Sequence, residues 1–128
     1  MVITATKKQK IPILMYHSIS NYANPGFRQC VVSPETFDEH LSYLEQHHYT
    51  SVTVTQFVQA MAKEGNGLPP RPVILTFDDG YADFYKQALP ALQSHGFTAT
   101  LYVVTAFVGG TSRWLRNEEE KTRPMVTW

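Results

Sequence analysis

Two adjacent aspartates, Asp78 and Asp79, follow a largely apolar run in the sequence RPVILTFDDGYADFY. The run from Val73 to Phe77 suits a buried strand, and a helical pattern begins after Gly80. Ligands of parallel α/β sheets bind outside the carboxyl ends of the strands. Because a glycine permits a sharp turn at this point, we expect both carboxylates to converge on that edge of the sheet.

Two carboxylates held this close repel each other, so one of them tends to keep a proton unless a cation compensates. A divalent metal would supply that cation: one aspartate could bind it while the other, unligated, takes a proton from a bound water. A solvent-facing Asp-Asp-Gly turn is the plain alternative, because such turns are common. The apolar strand before the pair and the helix after it favour the functional interpretation.

The elements that must position this pair are predicted to alternate between strands and helices. This alternation implies parallel strands covered by helices and places the protein in the α/β class. About four strands are predicted, which neither close a barrel nor leave a well-protected open sheet. The predicted strands span residues 11–19, 49–55, 73–77 and 97–108.

Three helices are predicted between these strands from their capping residues and apolar spacing. The first has Ser33 as its N-cap, and the second has Thr55. The third is expected to bend at Pro90 and to stop at Gly96. The buried face of the first helix is predicted to contain Phe37, Leu41 and Leu44, and the second helix to carry Phe57, Val58, Met61 and Ala62.

The composition limits the class of protein. The 128 residues suffice for one ordinary domain, and a hydrophobic content of 43% fits a globular core. The chain has 11 basic and 11 acidic residues, a net charge of zero that argues against a nucleic-acid binder. The single cysteine, Cys30, excludes an intramolecular disulfide and a multi-cysteine metal site, and we interpret it as a half-buried small hydrophobe.

Two polar segments are predicted to lie outside the core. Residues 1–10 are expected to form a flexible arm and lack the apolar segment of a secretory signal. Residues 109–124 are expected to form a polar loop in which NEEEK, Asn117 to Lys121, is solvated. No run of roughly 18 apolar residues occurs, so the sequence predicts no membrane-spanning helix.

The sequence LTFDDGY, Leu75 to Tyr81, resembles the first motif of the polysaccharide deacetylases. The segments IPILMYHSI, VSPETFDEHLSYLEQHHYTSVTVTQF and HGFTATLYVVTAFVG resemble the same family, so the resemblance covers nearly the whole chain from Ile11 onward. It implies a parallel-strand (β/α) barrel of the deacetylase type. Residues 11–128 would then be the N-terminal half of that domain, truncated at its C-terminal end.

The resemblance also implies an activity and roles for three residues. The family comprises metal-dependent hydrolases that remove acetyl groups, mainly N-acetyl, from polymers such as chitin, peptidoglycan and poly-N-acetylglucosamine. Asp78 matches the catalytic base and Asp79 the metal-binding aspartate of the family, with zinc as the expected divalent ion. His17, in MYHSI, is either a substrate-binding residue of the cleft or a structural histidine. An extracellular or cell-envelope location is expected.

The family completes its metal site with a His-x-x-x-His pair, and no such pair follows LTFDDGY in this chain. His95 is the only later histidine and lies in the predicted helix end SHGF. His40, His47 and His48 come earlier, and all four are expected to be polar surface residues. The later motifs of the family are not matched either. The remaining metal ligands are therefore absent, and the 128-residue chain alone is expected to be inactive.

Other interpretations stay open. A magnesium-dependent phosphatase or phosphotransfer domain also gathers aspartates at a strand end, but Asp-Asp-Gly lacks the Asp-x-Asp spacing, and TLYVVTAF holds no phosphoacceptor aspartate. A non-catalytic carbohydrate-binding remnant could hold sugar with Tyr16, Tyr81 and Trp114, although core packing is favoured for these aromatics. Exposed sheet edges, above all the long uncharged last strand, predict self-association.

Overall fold

The protein is described by a computed structural model that covers residues 10–64 and 67–128. The strands are β1 (Ile13–Tyr16), β2 (Ser18–Ile19), β3 (Val31–Val32), β4 (Thr50–Ser51), β5 (Pro72–Phe77) and β6 (Thr100–Leu101). The helices are α1 (Pro34–Gln46), α2 (Val54–Met61) and α3 (Leu89–Ser94), the last preceded directly by a π-helical segment, Phe84–Ala88. Short 3-10 turns span Arg28–Cys30, Thr105–Phe107 and Glu120–Thr122. The predicted arm lies outside the described residues except for Lys10.

The central strand of the main sheet is β5. It pairs in parallel with β1 on one edge and with both β4 and β6 on the other. The amides of Ile74 and Asp78 donate toward β1, whereas the carbonyls of Val73 and Phe77 accept from the side of β4 and β6. All six residues of β5 are buried, as expected for a central parallel strand. The predicted α/β class is confirmed, with β2 and β3 as an additional two-stranded parallel ladder.

The main core lies between one face of this sheet and the helices α1 and α3. The prediction for α1 is confirmed, since the hydroxyl of Ser33 accepts a hydrogen bond from the amide of Thr36 at 3.1 Å. The predicted apolar face of α1 is buried as well. The buried residues of this core are Tyr16, Ile19, Phe37, Leu41, Leu44, Val73, Leu75, Phe77, Ala88 and Leu92.

The predicted N-cap of the second helix is wrong, because α2 is capped by Thr53 and not by Thr55. The hydroxyl of Thr53 accepts from the amide of Gln56 at 3.1 Å, and the side chain of Gln56 accepts from the amide of Thr53 at 2.8 Å. This reciprocal capping box begins the helix two residues early and ends the strand predicted over 49–55 after β4. Val58 and Met61, both predicted on this helix, are exposed.

The strand predicted over 97–108 is also shorter than expected, because only its residues in β6 pair with β5. Directly after β6, the amide of Tyr102 donates to the carbonyl of Phe77, the last residue of β5, at 2.8 Å. The chain then folds into the turn Thr105–Phe107. The long uncharged edge on which self-association partly depended is therefore not formed. Among the described residues, no strand pairs with the outer edge of β1.

A π-helical segment lies directly before α3, next to Pro90, the residue at which the sequence predicts a bend. The amide of Leu89 donates to the carbonyl of Phe84, five residues earlier. Proline lacks an amide proton, and its ring clashes with the carbonyl four residues earlier, so the wider turn relieves this conflict. The helix ends before Gly96, whose φ of 68° confirms the predicted stop.

His95, predicted as a polar surface residue, joins the end of α3 to α1 through two carboxylates. Its Nδ1 lies 2.8 Å from a carboxylate oxygen of Glu45, and its Nε2 lies 2.9 Å from one of Asp38. The hydrogen bond that His95 donates to Glu45, together with the one that it donates to Asp38, raises the pKa of His95. The side chains of α3, LPALQS, carry no charge, and both carboxylates that contact the imidazole belong to α1.

We expect replacement of His95 by glutamine to destabilise the fold more at about pH 6 than at about pH 8.5. Because the folded-state pKa of His95 is raised, the stabilisation is complete below the unfolded-state pKa and is lost as the pH rises through the folded-state value. The expected difference near pH 6 is about 0.5–1 kcal/mol, since both carboxylates are exposed. Urea unfolding of wild type and variant at both pH values measures it. An equal difference at both pH values would contradict this expectation.

Candidate active site at the end of the central strand

The chain changes direction directly after β5. The amide of Asp78 donates to the Tyr16 carbonyl at 2.8 Å, which continues the β1–β5 ladder by one residue. Asp79 and Gly80 then both adopt left-handed backbone conformations, with φ values of 72° and 80°. A left-handed aspartate costs about 1 kcal/mol, and short polar side chains tolerate it best. The turn therefore breaks the strand alternation between the two carboxylates, as the sequence predicted.

Gly80 is required at this turn for two reasons. Its φ is positive, and a Cβ atom placed on it would lie 3.0 Å from Cγ1 and 3.3 Å from Cα of Val103. The chain after β6 therefore lies directly against the turn, and the amide of Val104 approaches the Asp79 carbonyl at 3.4 Å.

A second segment, residues 124–126, contacts the same turn from the other side. The amide of Val126 donates to the Gly80 carbonyl at 2.9 Å, and the amide of Ala82 donates to the Pro124 carbonyl at 2.9 Å. Between these hydrogen bonds, Tyr81 and Met125 form an antiparallel bridge. Sequence reasoning missed this support, because residues 109–124 have the composition of a solvated loop.

A buried ion pair between Glu120 and Arg123 anchors the chain directly before residues 124–126. The Nε atom of Arg123 donates to Glu120, whose other carboxylate oxygen accepts from the Asn24 amide at 3.2 Å. The guanidinium of Arg123 lies 4.2 Å from the centre of the Phe27 ring. Only 2% of Glu120 is exposed, so the prediction that NEEEK is solvated is wrong for this residue. It is correct for Glu118, whose side chain is 84% exposed.

Asp83 connects the Glu120–Arg123 ion pair to β2. Its carboxylate accepts from the Ser18 hydroxyl at 2.6 Å and from the Ile19 amide at 3.2 Å. Burial raises the pKa of Asp83, and the hydrogen bond from Ser18 opposes that shift. Arg123 also donates to the Ser18 hydroxyl at 3.3 Å. Polar contacts therefore join β2, Asp83 and the Glu120–Arg123 ion pair around the aspartate turn.

The two aspartates line a shallow pocket of about 230 Å³, together with Tyr102, Val103 and Val104. Both aspartates are half-buried. One carboxylate oxygen of Asp79 accepts from the Tyr81 hydroxyl at 3.2 Å. The structure thus brings the predicted pair together on an accessible surface, where one carboxylate is oriented by a hydrogen bond.

The other predicted site residues are placed as follows. His17 directly follows Tyr16, which pairs with Phe77, so its backbone lies beside that of Asp78. It is half-buried and is not among the residues that line the pocket. Tyr16 and Tyr81, considered for sugar stacking, are buried core residues, and burial raises the pKa of Tyr16 to about 12. Half-buried Trp114 packs on Phe107.

The described residues do not complete a metal site. Within residues 10–64 and 67–128, no three side chains of His, Cys, Asp or Glu are grouped so that they could hold a metal ion. Three of the histidines already have hydrogen-bond partners: His40 with the hydroxyl of Tyr16, His47 with the carbonyl of Tyr43, and His95 with two carboxylates. Cys30 is half-buried, as predicted, and packs beside Phe27 and Tyr81.

Comparison of the sequence with known proteins shows similarity to one family. Residues 65–126 match the family model described as polysaccharide deacetylase. YxkH of Bacillus subtilis (strain 168), named after the same family, is 34% identical over 107 residues, which are 84% of this chain and 36% of that protein. The poly-beta-1,6-N-acetyl-D-glucosamine N-deacetylase of Escherichia coli (strain K12) is 36% identical over 95 residues, 74% of this chain and 14% of that protein.

Solved structures give the same result. The Streptococcus pyogenes deacetylase PplD, in complex with acetate, matches with a TM-score of 0.65 and 32% identity over 93% of this chain and 55% of its own. IcaB from Ammonifex degensii matches with a TM-score of 0.73 and 25% identity over 92% of this chain and 45% of its own.

Within residues 10–64 and 67–128, none of the helices has the length and the apolar character that a membrane-spanning helix needs.

These relatives confirm the predicted fold class, since the deacetylases that match have the (β/α) barrel fold and the chain shows the parallel strands of its N-terminal portion. The chain spans about a third of YxkH and about half of each of the two solved structures. By its sequence and its fold, the chain is similar to the N-terminal part of proteins of the polysaccharide deacetylase family.

Proposed function

We propose that the protein hydrolyses acetyl groups, mainly N-acetyl groups, on a polysaccharide, and that the reaction takes place at Asp78 and Asp79. The observation that carries this proposal is the carboxylate pair on an accessible pocket at the carboxyl end of the central strand. The family supports it, since several relatives are named poly-beta-1,6-N-acetyl-D-glucosamine N-deacetylases.

In this proposal, Asp78 is the general base. Its carboxylate accepts a proton from a water molecule whose oxygen attacks the carbonyl carbon of the acetamide. The bond between that carbon and the nitrogen breaks, the proton passes to the leaving amine, and acetate and a free amine are released. The ladder hydrogen bond to Tyr16 fixes the backbone of Asp78 beside His17, which we propose contacts the substrate.

Asp79 is proposed as a ligand of a divalent cation, for which zinc is our expectation. A carboxylate oxygen suits such a cation. The Tyr81 hydroxyl donates to Oδ2 of Asp79, and we propose the other carboxylate oxygen, Oδ1, as the ligand. Further donors are not grouped among the described residues. We therefore propose that the segment acts within a longer deacetylase chain. From the similarity to polysaccharide deacetylases, we propose that this chain acts in the cell envelope or outside the cell.

An assay of acetate release tests the proposed function. The full-length protein that carries this segment is incubated with poly-β-1,6-N-acetyl-D-glucosamine and divalent cations, and acetate and free amine are measured. We expect equal amounts of both products, and none from the 128-residue chain alone. Binding of the polymer without acetate would support a carbohydrate-binding remnant, and hydrolysis of a phosphate ester without acetate would support a phosphatase.

One further property is proposed for the isolated chain. The outer edge of β1 has no strand partner among the described residues, and Ile13 and Met15 on this strand are exposed. Unpaired edges of this kind promote pairing between chains. Self-association through this edge stays a prediction.

A further inference from the structure

The register of the sheet aligns three residues at its carboxyl edge. Tyr16 pairs with Phe77, and Phe77 pairs with Leu101, so these three form one row across β1, β5 and β6. The ladder continues by one residue, since the amides of Asp78 and Tyr102 both donate to strand carbonyls at 2.8 Å. The next row is therefore His17, Asp78 and Tyr102.

The side chains of the two rows point to opposite faces of the sheet, because successive residues of a strand alternate. Tyr16 and Phe77 face the helices and belong to the main core. Asp78 and Tyr102 lie on the other face, in agreement with their common position on the carboxylate pocket. Tyr102 is thus the direct neighbour of the proposed general base on the side of β6.

Tyr102 differs from the other tyrosines near the site in its exposure. Tyr16 and Tyr81 are 6% and 1% exposed, whereas Tyr102 is 48% exposed. Its backbone is nevertheless fixed by the hydrogen bond to Phe77 and by the contact of its neighbour Val103 with the aspartate turn. An accessible aromatic ring on a fixed stretch of backbone beside carboxylates suits a ligand with one apolar face and a polar edge.

We propose that Tyr102 is a further substrate-positioning residue, whose ring packs against the apolar face of an N-acetylated sugar while the acetyl group of that sugar lies over Asp78. This inference rests on the proposed function, because it takes the acetamide as the reacting group. A pyranose ring has such an apolar face, formed by its C–H groups, and its hydroxyls remain free to reach the two carboxylates. The Tyr102 hydroxyl is not required for the stacking.

Binding of a soluble oligosaccharide tests this role without any need for turnover. The probe is a pentamer of β-1,6-linked N-acetyl-D-glucosamine, titrated into the chain by isothermal titration calorimetry. We expect Tyr102→Ala to weaken binding about tenfold and Tyr102→Phe to weaken it by less than about threefold. Tyr85→Ala is the matched control, because Tyr85 is 70% exposed and does not line the carboxylate pocket, and we expect it to leave the affinity unchanged.

The outcomes separate this inference from the proposed function. Equal affinities of wild type and Tyr102→Ala would overturn the role of Tyr102 and leave the deacetylase proposal intact. Equal losses in Tyr102→Ala and Tyr102→Phe would also overturn it, because the hydroxyl and not the ring face would then be responsible. Failure of the wild-type chain to bind the pentamer would overturn it as well, whereas the proposed function depends on acetate release from the polymer.

Discussion

Replacement of Asp78 by asparagine is expected to reduce the rate of acetate release by the full-length protein by a factor of about 10²–10⁴. Asparagine has nearly the same shape as aspartate, and its backbone amide can keep the hydrogen bond to Tyr16. Its side-chain amide cannot accept a proton from water at neutral pH. The variant should therefore fold normally and still bind the polymer. Initial rates of acetate and amine formation measure the effect.

One control variant and one further site variant make this result specific. Asp38→Asn removes a carboxylate that is 58% exposed on α1 and far in sequence from the site, and we expect its rate to match that of wild type. Asp79→Asn should also lose activity, and the metal content of the two site variants separates their roles. Loss of bound metal from Asp78→Asn, with retention in Asp79→Asn, would reverse the assignment. A rate within about threefold of wild type for Asp78→Asn would exclude it as the general base.

Replacement of Glu120 by alanine is expected to reduce the free energy of unfolding by about 3–5 kcal/mol. The carboxylate of Glu120 is the buried partner of Arg123 and the acceptor of the Asn24 amide. Its removal leaves the guanidinium, whose side chain is 12% exposed, without its counter-charge. Urea unfolding followed by circular dichroism measures the loss.

Glu118 provides the matched control for Glu120. It forms an ion pair with Lys121, but its side chain is 84% exposed. Exposed pairs contribute little, so we expect Glu118→Ala to change the stability by no more than about 0.5 kcal/mol. Replacing both Glu120 and Arg123 by methionine should recover part of the loss, because no charge is then left buried. Equal effects of the two alanine substitutions would show that the Glu120 pair does not anchor the segment.

The parts of the fold that the sequence predicted depend on local signals. Ser33 before a proline and an apolar stripe is sufficient to define α1, and the run of β5 identifies a central strand without reference to its neighbours. The aspartate pair was found for the same reason, since a glycine directly after two carboxylates at a strand end is visible within a few residues. The capping box of Thr53 and Gln56 was also local, and a search for that pair would have corrected the start of α2.

The remaining features depend on contacts between distant parts of the chain. Glu120 accepts a hydrogen bond from Asn24, 96 residues away in sequence, so nothing in NEEEK distinguishes it from its solvated neighbours. The end of β6 is set by where β5 turns, which the apolar sequence 97–108 does not encode. Tyr102 was overlooked because its importance comes from the register with Asp78, and register is decided by the pairing of strands.

The most direct test of the central claim is a crystal structure of the full-length Asp78→Asn variant with the β-1,6-linked N-acetyl-D-glucosamine pentamer bound. Because the variant should turn the substrate over about 10²–10⁴-fold more slowly than wild type, a short soak leaves the acetamide in place. We expect an acetyl carbonyl carbon within about 4 Å of the side chain of residue 78, as required for attack by a water held there. We also expect the sugar ring on the face of Tyr102. An oligosaccharide bound elsewhere, with no acetamide in the pocket of the two aspartates, would contradict the account.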